Sequence, residues 1–136
     1  MKSIVKEISS VKNNINEVEK ILTNVNNDFR LPETEFKNLI IAVSEIVMNA
    51  IVHGNKLDEK KMVRVSVDFD DKQLKITIKD EGNGFDFDKK QDPTLDENIF
   101  KSSGRGLYIV KSLIENVEYI NTGKGSKVII TINKKT

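Results

Sequence analysis

Met62-Val-Arg-Val-Ser-Val-Asp-Phe69 alternates apolar and polar residues with period two, and Leu74-Lys-Ile-Thr-Ile78 repeats the pattern. Successive side chains of a strand point to opposite faces, so the alternation dictates a sheet with one dry face and one wet face. Asp70-Asp71-Lys72 between the two runs supplies a hairpin turn,. A second hairpin is expected from Val117–Asn121 and Lys127–Ile132 around Gly123-Lys-Gly125, and residues 2–11 read as a short edge strand. A sheet of this kind needs helices over its dry face.

Those helices are visible as period-3.6 stripes. Ile15, Val18, Ile21 and Leu22 recur at helical spacing from Asn13 to Asn24, with Asn26-Asn27-Asp28 as punctuation. A second helix enters after Leu31-Pro32, carries Glu33 and Glu35 near its positive dipole end, and runs to about His53, where Gly54-Asn55 stops it,. Leu107, Val110, Leu113, Ile114 and Val117 form a third stripe, and the polar stretch 86–103 with Pro93 reads as a long loop of the kind that often serves as a lid,. The order β-α-α-β-β-lid-α-β-β predicts an α+β fold. It is a two-layer α/β sandwich, with a mixed, mostly antiparallel sheet and helices on one face. No repeat or linker divides the 136 residues, so a single domain over 1–136 is expected,.

The second helix is apolar from Leu39 to Val52 except at Ser44, Glu45 and Asn49. At about 100° per residue, Asn38, Ala42, Glu45, Asn49 and His53 share one stripe. Such a stripe either faces water or meets a polar ligand, because unpaired Glu and Asn are costly in a dry interior. An Asn oxygen suits Mg²⁺, and Glu45, the one acid on the stripe, is placed to accept a proton from a hydroxyl. His53 either touches phosphate or caps the helix end.

Asp80-Glu-Gly82-Asn-Gly84-Phe85 follows the second strand directly. An Asp there can accept a hydrogen bond from the exocyclic amine of adenine, while the glycines let backbone approach a ligand. Ser103-Gly104-Arg105-Gly106-Leu107 opens the third helix and offers bare N–H groups to phosphates,. Neither cluster has P-loop spacing, and the second does not follow a strand as a dinucleotide fingerprint would.

Charge and cysteine content close off other classes. Lys+Arg 22 against Asp+Glu 21 gives +1, so no bulk charge favours nucleic acid or membrane, and the absence of Cys excludes disulfides and thiolate metal sites,. The N-terminal Met-Lys-Ser-Ile-Val-Lys-Glu meets charge too early for a signal peptide, and Leu39–Val52 is too short to span a bilayer,. A cytoplasmic protein is the expectation.

Together these residues resemble the GHKL, or Bergerat-fold, ATPase superfamily of gyrase, MutL and histidine-kinase catalytic domains. Glu45-Ile-Val-Met-Asn49-Ala-Ile-Val-His53-Gly54 looks like its N box, Asp80 to Phe85 like its first glycine box, and Gly104-Arg-Gly106-Leu107 like its second. Gly125-Ser126-Lys-Val128 is similar to its closing strand, with Ser126 in place of the usual Thr. Chain size, the His-Gly after the N box and the lid length resemble the anti-sigma-factor serine kinase branch. That resemblance implies ATP and Mg²⁺ as cofactors, with Asn49 on the metal and Glu45 activating an acceptor serine. It implies Asp80 on the adenine amine with Ser126 alongside, Gly82 and Gly84 giving close approach, and residues 86–107 around the phosphates. Arg105 stands where many relatives carry a small or apolar residue; it either reaches phosphate or faces solvent. The implied partners are a sigma factor, a small anti-anti-sigma protein carrying a serine, and a second copy of the chain. A nucleotide-sensing module and a stand-alone ATPase are the competing functions.

Overall fold

The computed structural model describes residues 1–82, 110–121 and 123–134. Its strands are β1 (Lys2–Ser9), β2 (Met62–Phe69), β3 (Gln73–Lys79), β4 (Asn116–Asn121) and β5 (Ser126–Asn133). They form one five-stranded sheet in the order β1-β2-β3-β5-β4. Among the described residues every pairing is antiparallel, so the expected mixture with parallel pairs is corrected. The alternation sets the register. Val65 faces Ile78 and Val67 faces Ile76 across β2–β3, and Ile78 faces Val128 and Ile76 faces Ile130 across β3–β5. These residues fill one face, while Arg64, Lys75 and Lys79 stand exposed on the other.

Helices α1 (Ile15–Phe29) and α2 (Glu33–Asn49) cover the apolar face. Val18, Leu22, Val25 and Phe29 of α1, and Leu39, Val43, Ile46 and Val47 of α2, belong to one core cluster with Val63, Val65, Val67, Leu74, Ile76, Ile78 and Ile130. The two-layer sandwich is therefore as expected, and β1 is an edge strand paired along its whole length to β2.

Three boundaries differ from expectation. Helix α1 continues through Asn26-Asn27-Asp28 to Phe29, because Val25 and Phe29 extend the buried stripe while Asn27 and Asp28 stay on the wet side. It ends at Arg30, left-handed at φ 60°, whose N–H donates to the Asn26 carbonyl at 2.9 Å; the Asn26 side-chain oxygen accepts from Leu31 N–H at 2.8 Å. Val117, read as the end of the third helical stripe, lies in β4 opposite Ile130, and only residues 110–113 of that helix are described. Helix α2 passes at Ala50–Gly54 into one π-helical turn, giving a continuous helix of 22 residues over Glu33–Gly54. That is long and apolar enough to cross a bilayer, longer than the apolar run alone suggested,. Leu39, Val43, Ile46, Val47 and Ile51 nevertheless belong to the core, as in a core helix, while Ile41 stays exposed. The loop expected over 86–103 lies outside the described residues.

A left-handed conformation costs an ordinary residue about 1–2 kcal/mol, of which glycine's extra chain entropy gives part back. Arg30→Gly is therefore expected to raise the unfolding free energy by about 0.5–1 kcal/mol, read from the denaturant midpoint at constant slope. No gain would mean that the Arg30 side chain contributes a compensating contact.

Candidate functional site

Asp80 leaves β3 where Ser126 enters β5, so the sheet itself brings two distant residues side by side. The Asp80 N–H donates to the Ser126 carbonyl at 3.0 Å. Its Oδ1 accepts from the backbone N–H groups of Gly82 and Ser126, each at 3.0 Å. The side chain is 5% exposed. Burial pushes the carboxyl above its ordinary range, and the Gly82 and Ser126 N–H groups and the Lys61 charge pull it partly back. Among the described residues nothing donates to Oδ2, which lies against the Gly54 backbone with its acceptor capacity unused there.

Only glycine fits at three surrounding positions. A Cβ on Gly54 would lie 2.4 Å from Asp80 Oδ2, one on Gly82 1.9 Å from the Gly54 carbonyl oxygen, and one on Gly125 2.1 Å from the Asp80 carbonyl oxygen. Gly125 also sits at φ 151°. The end of the α2 helix, the end of β3 and the start of β5 are thus in backbone contact around one carboxylate. Sequence reading gave Gly82 its role, and took Gly54 as a helix stop within the N-box resemblance and Gly125 as a hairpin residue within the closing-strand resemblance. Nothing local in the sequence shows that both press on Asp80.

Glu45, Asn49 and His53 lie back along the helix that ends at Gly54, and all three are half-buried. The expected stripe needs one correction: Ala42 is fully buried and belongs to the core. Glu45 and Asn49 therefore mark the margin between the core face and the open face, where Ile41 is 46% exposed. The helix is not enclosed on all sides among the described residues. The π turn from Ala50 winds the chain more loosely, so His53 is turned away from its position in an unbroken α-helix,. Burial lowers the His53 pKa and favours neutral imidazole. Gly84, Phe85, Ser103, Gly104, Arg105, Gly106 and Leu107 lie outside the described residues.

The arrangement sets a buried carboxylate acceptor at the end of β3 beside the end of a helix that carries an acid and an amide. A family profile described as "Histidine kinase-like ATPase domain" matches residues 8–132. The chain is similar to "Serine-protein kinase RsbW" of Bacillus subtilis, at 33% identity over 64% of this chain and 58% of that protein. It is also similar to "Anti-sigma F factor" of Bacillus thuringiensis, at 35% identity over 72% of this chain and 67% of that protein. Among solved structures it resembles the RsbU and RsbW domains of a Mycobacterium tuberculosis protein. There the TM-score is 0.70 at 16% identity, over 98% of this chain and 32% of that one, a likeness of fold.

Asp80 gives a test that needs no ligand. A carboxyl whose folded pKa is raised is stabilising below its unfolded value near 3.8, and that contribution is lost as pH rises through the folded pKa,. Near pH 7 the buried charge is thus a burden, and Asp80→Asn keeps the Oδ1 acceptor while removing it. The variant is expected to melt above the wild type near pH 7, with the gap closing as pH falls toward 3.8. A variant that melts lower at neutral pH would show that the charge stabilises the empty fold.

Proposed function

We propose that this chain, which belongs to the histidine kinase-like ATPase domain family, is an ATP-dependent serine protein kinase and partner-switching regulator. The observation that carries this reading is the buried Asp80 carboxylate, held at Oδ1 by Gly82 and Ser126 and with no donor to Oδ2 among the described residues, at the foot of the Glu45–Asn49 helix. Adenine presents an amine donor to an acceptor of this kind, whereas guanine presents a carbonyl at the corresponding position and is repelled. Residues 1–136 act as a single ATP-binding domain in this reading.

Glu45 takes the proton of the acceptor serine as its oxygen attacks the γ-phosphorus and the bond to the ADP oxygen breaks. Asn49, one helical turn on, would hold a divalent ion through its neutral side-chain oxygen, and the ion would supply positive charge beside the phosphates. Mg²⁺ fits such a site, since it keeps most of its water and takes few protein ligands; when bound it neutralises charge on the phosphates. Among the described residues no three His, Cys, Asp or Glu side chains converge, so the ion has no all-protein cage there. The partners in this reading are those named for the relatives' branch: a sigma factor held by the protein, and a small antagonist that receives phosphate on serine. β1 leaves one edge unpaired among the described residues, and a second copy of the chain is proposed to add there,. A cytoplasmic site of action follows from this role.

The deciding experiment incubates the protein with γ-labelled ATP and candidate small partners. Label on a partner serine supports the kinase; label released only as free phosphate makes it an ATPase, and label left on ATP makes it a sensor. Glu45→Ala should lower transfer by about 10²–10⁴ with ATP still bound. Asp80→Ala should weaken ATP by tenfold or more, since a charged hydrogen bond contributes about 1.5–3 kcal/mol. Asn49→Ala should make binding less dependent on Mg²⁺. Wild-type transfer in the Glu45 variant would return that side chain to a solvent-facing role.

A further inference from the structure

Asn55 carries none of the roles assigned above, yet it is 1% exposed and bonded at every polar atom. Its Nδ2 donates to Ser10 Oγ at 2.9 Å and to the Met62 carbonyl at 3.0 Å. Its Oδ1 accepts from Glu81 N–H at 2.8 Å. Its own N–H donates to the Ala50 carbonyl at 2.8 Å and closes the π turn, and its carbonyl accepts from Asp58 N–H at 3.0 Å. Ser10, also 1% exposed, passes the network on to the Lys61 carbonyl at 2.7 Å. Met62 N–H in turn donates to the Glu81 carboxylate.

A turn between α2 and β2 needs only a subset of these bonds. The Ala50 and Asp58 contacts close it, and the Met62 contact fixes where β2 begins. The bond to Glu81 serves another purpose, because Glu81 lies just beyond the end of β3 and is the neighbour of Asp80. Asp80 is gripped on one side by Ser126 of β5; on the other, its chain is held through Glu81 by the Asn55 amide. That amide is attached to the last turn of the helix bearing Glu45 and Asn49. A buried amide with its donors and acceptor satisfied has one orientation, and a low dielectric strengthens each bond.

We propose that Asn55 is a positioning residue that fixes the Asp80 carboxylate relative to helix α2, so that the adenine end and the phosphate end of the nucleotide site keep one spacing. The proposal rests on the reading of Asp80 as the adenine acceptor. Asn55 touches no nucleotide; it acts through Glu81 and the π turn.

The test compares ATP with purine riboside triphosphate, which lacks the exocyclic amine, on the purified full chain by calorimetry with Mg²⁺. The wild type is expected to prefer ATP by about tenfold. In Asn55→Ala the preference should collapse toward one through loss of ATP affinity, with the amine-free analogue bound within about twofold of wild type. Exchange of the Glu81 amide hydrogen should quicken in the same variant. Equal weakening of both nucleotides with the preference intact would mean that Asn55 merely supports the fold, and would overturn the proposal. Ser10→Ala removes one of the two acceptors that orient the amide and should give an intermediate preference. Should Asn55→Ala not fold, an undiminished preference in Ser10→Ala overturns the proposal alone. A wild-type protein that does not distinguish the nucleotides removes the Asp80 reading itself, and the positioning role with it, before any variant is made.

Discussion

Gly54 packs on the Asp80 carboxylate, Gly82 on the Gly54 carbonyl and Gly125 on the Asp80 carbonyl, each too close for a side chain, and the geometry of the site descends from those contacts. Gly54 ends the long helix, Gly82 follows β3, and Gly125 precedes β5, so the layer of helices and the sheet are pinned together at one acid. Burying a carboxylate is unfavourable unless hydrogen bonds replace the lost water. Here the two N–H donors on Oδ1 replace only part of it, and burial remains the dominant influence on the group. Among the described residues the fold thus holds an incompletely satisfied acceptor in a fixed direction. An amide at position 80 would keep the acceptor without the charge, whereas an apolar residue would leave the Gly82 and Ser126 N–H groups unpaired,.

That arrangement depends on a sheet able to carry it. Val63, Val65, Val67, Leu74, Ile76, Ile78 and Ile130 bury almost completely against α1 and α2. Each such side chain contributes about 1.5–3 kcal/mol when removed from water. The ladder of antiparallel pairs then transmits position: with Lys79 opposite Lys127, the next residues, Asp80 and Ser126, meet without further adjustment. The acid is held by backbone atoms at the end of the ladder, so its placement is as rigid as the register.

Parts of this were legible in the sequence because they are local. Alternation from Met62 to Phe69 and from Leu74 to Ile78 revealed both strands and which face is dry, and Asp70 capping the Lys72 and Gln73 N–H groups made the turn. The end of α1 was misread because Asn26-Asn27-Asp28 looks like a stop, while the decisive residue, Phe29, signals only through its spacing from Val25. Ala42 was grouped with the polar stripe because angle alone cannot tell which margin of a helix meets the core. Asp80 and Gly82 stood out as a glycine motif after a strand. The contacts that give them their geometry did not. Asn55 reaches Ser10 across 45 positions and Glu81 across 26, and no pattern within a helix or strand announces a bond between residues so far apart.

The segment from Asn49 to Asn55 shows why such long-range contacts matter to chemistry. An α-helix ending cleanly after Asn49 would leave the next residues free to take many paths to β2. The π turn removes that freedom: the Asn55 N–H closes on Ala50, and the Leu57 N–H closes on the Ile51 carbonyl at 2.8 Å, with Lys56 and Leu57 held left-handed at φ 53° and 59°. Two consecutive non-glycine residues in that region cost of order 1–3 kcal/mol each. The strain persists because Asn55 is buried and fully bonded, and because Gly54 can press against Asp80 only along this path. A polar face on α2 and an acid at the end of β3 belong to different layers and are joined by no covalent link shorter than a whole hairpin. Their relative placement is set across one strained turn, by a buried amide and a glycine whose missing Cβ lets the layers touch.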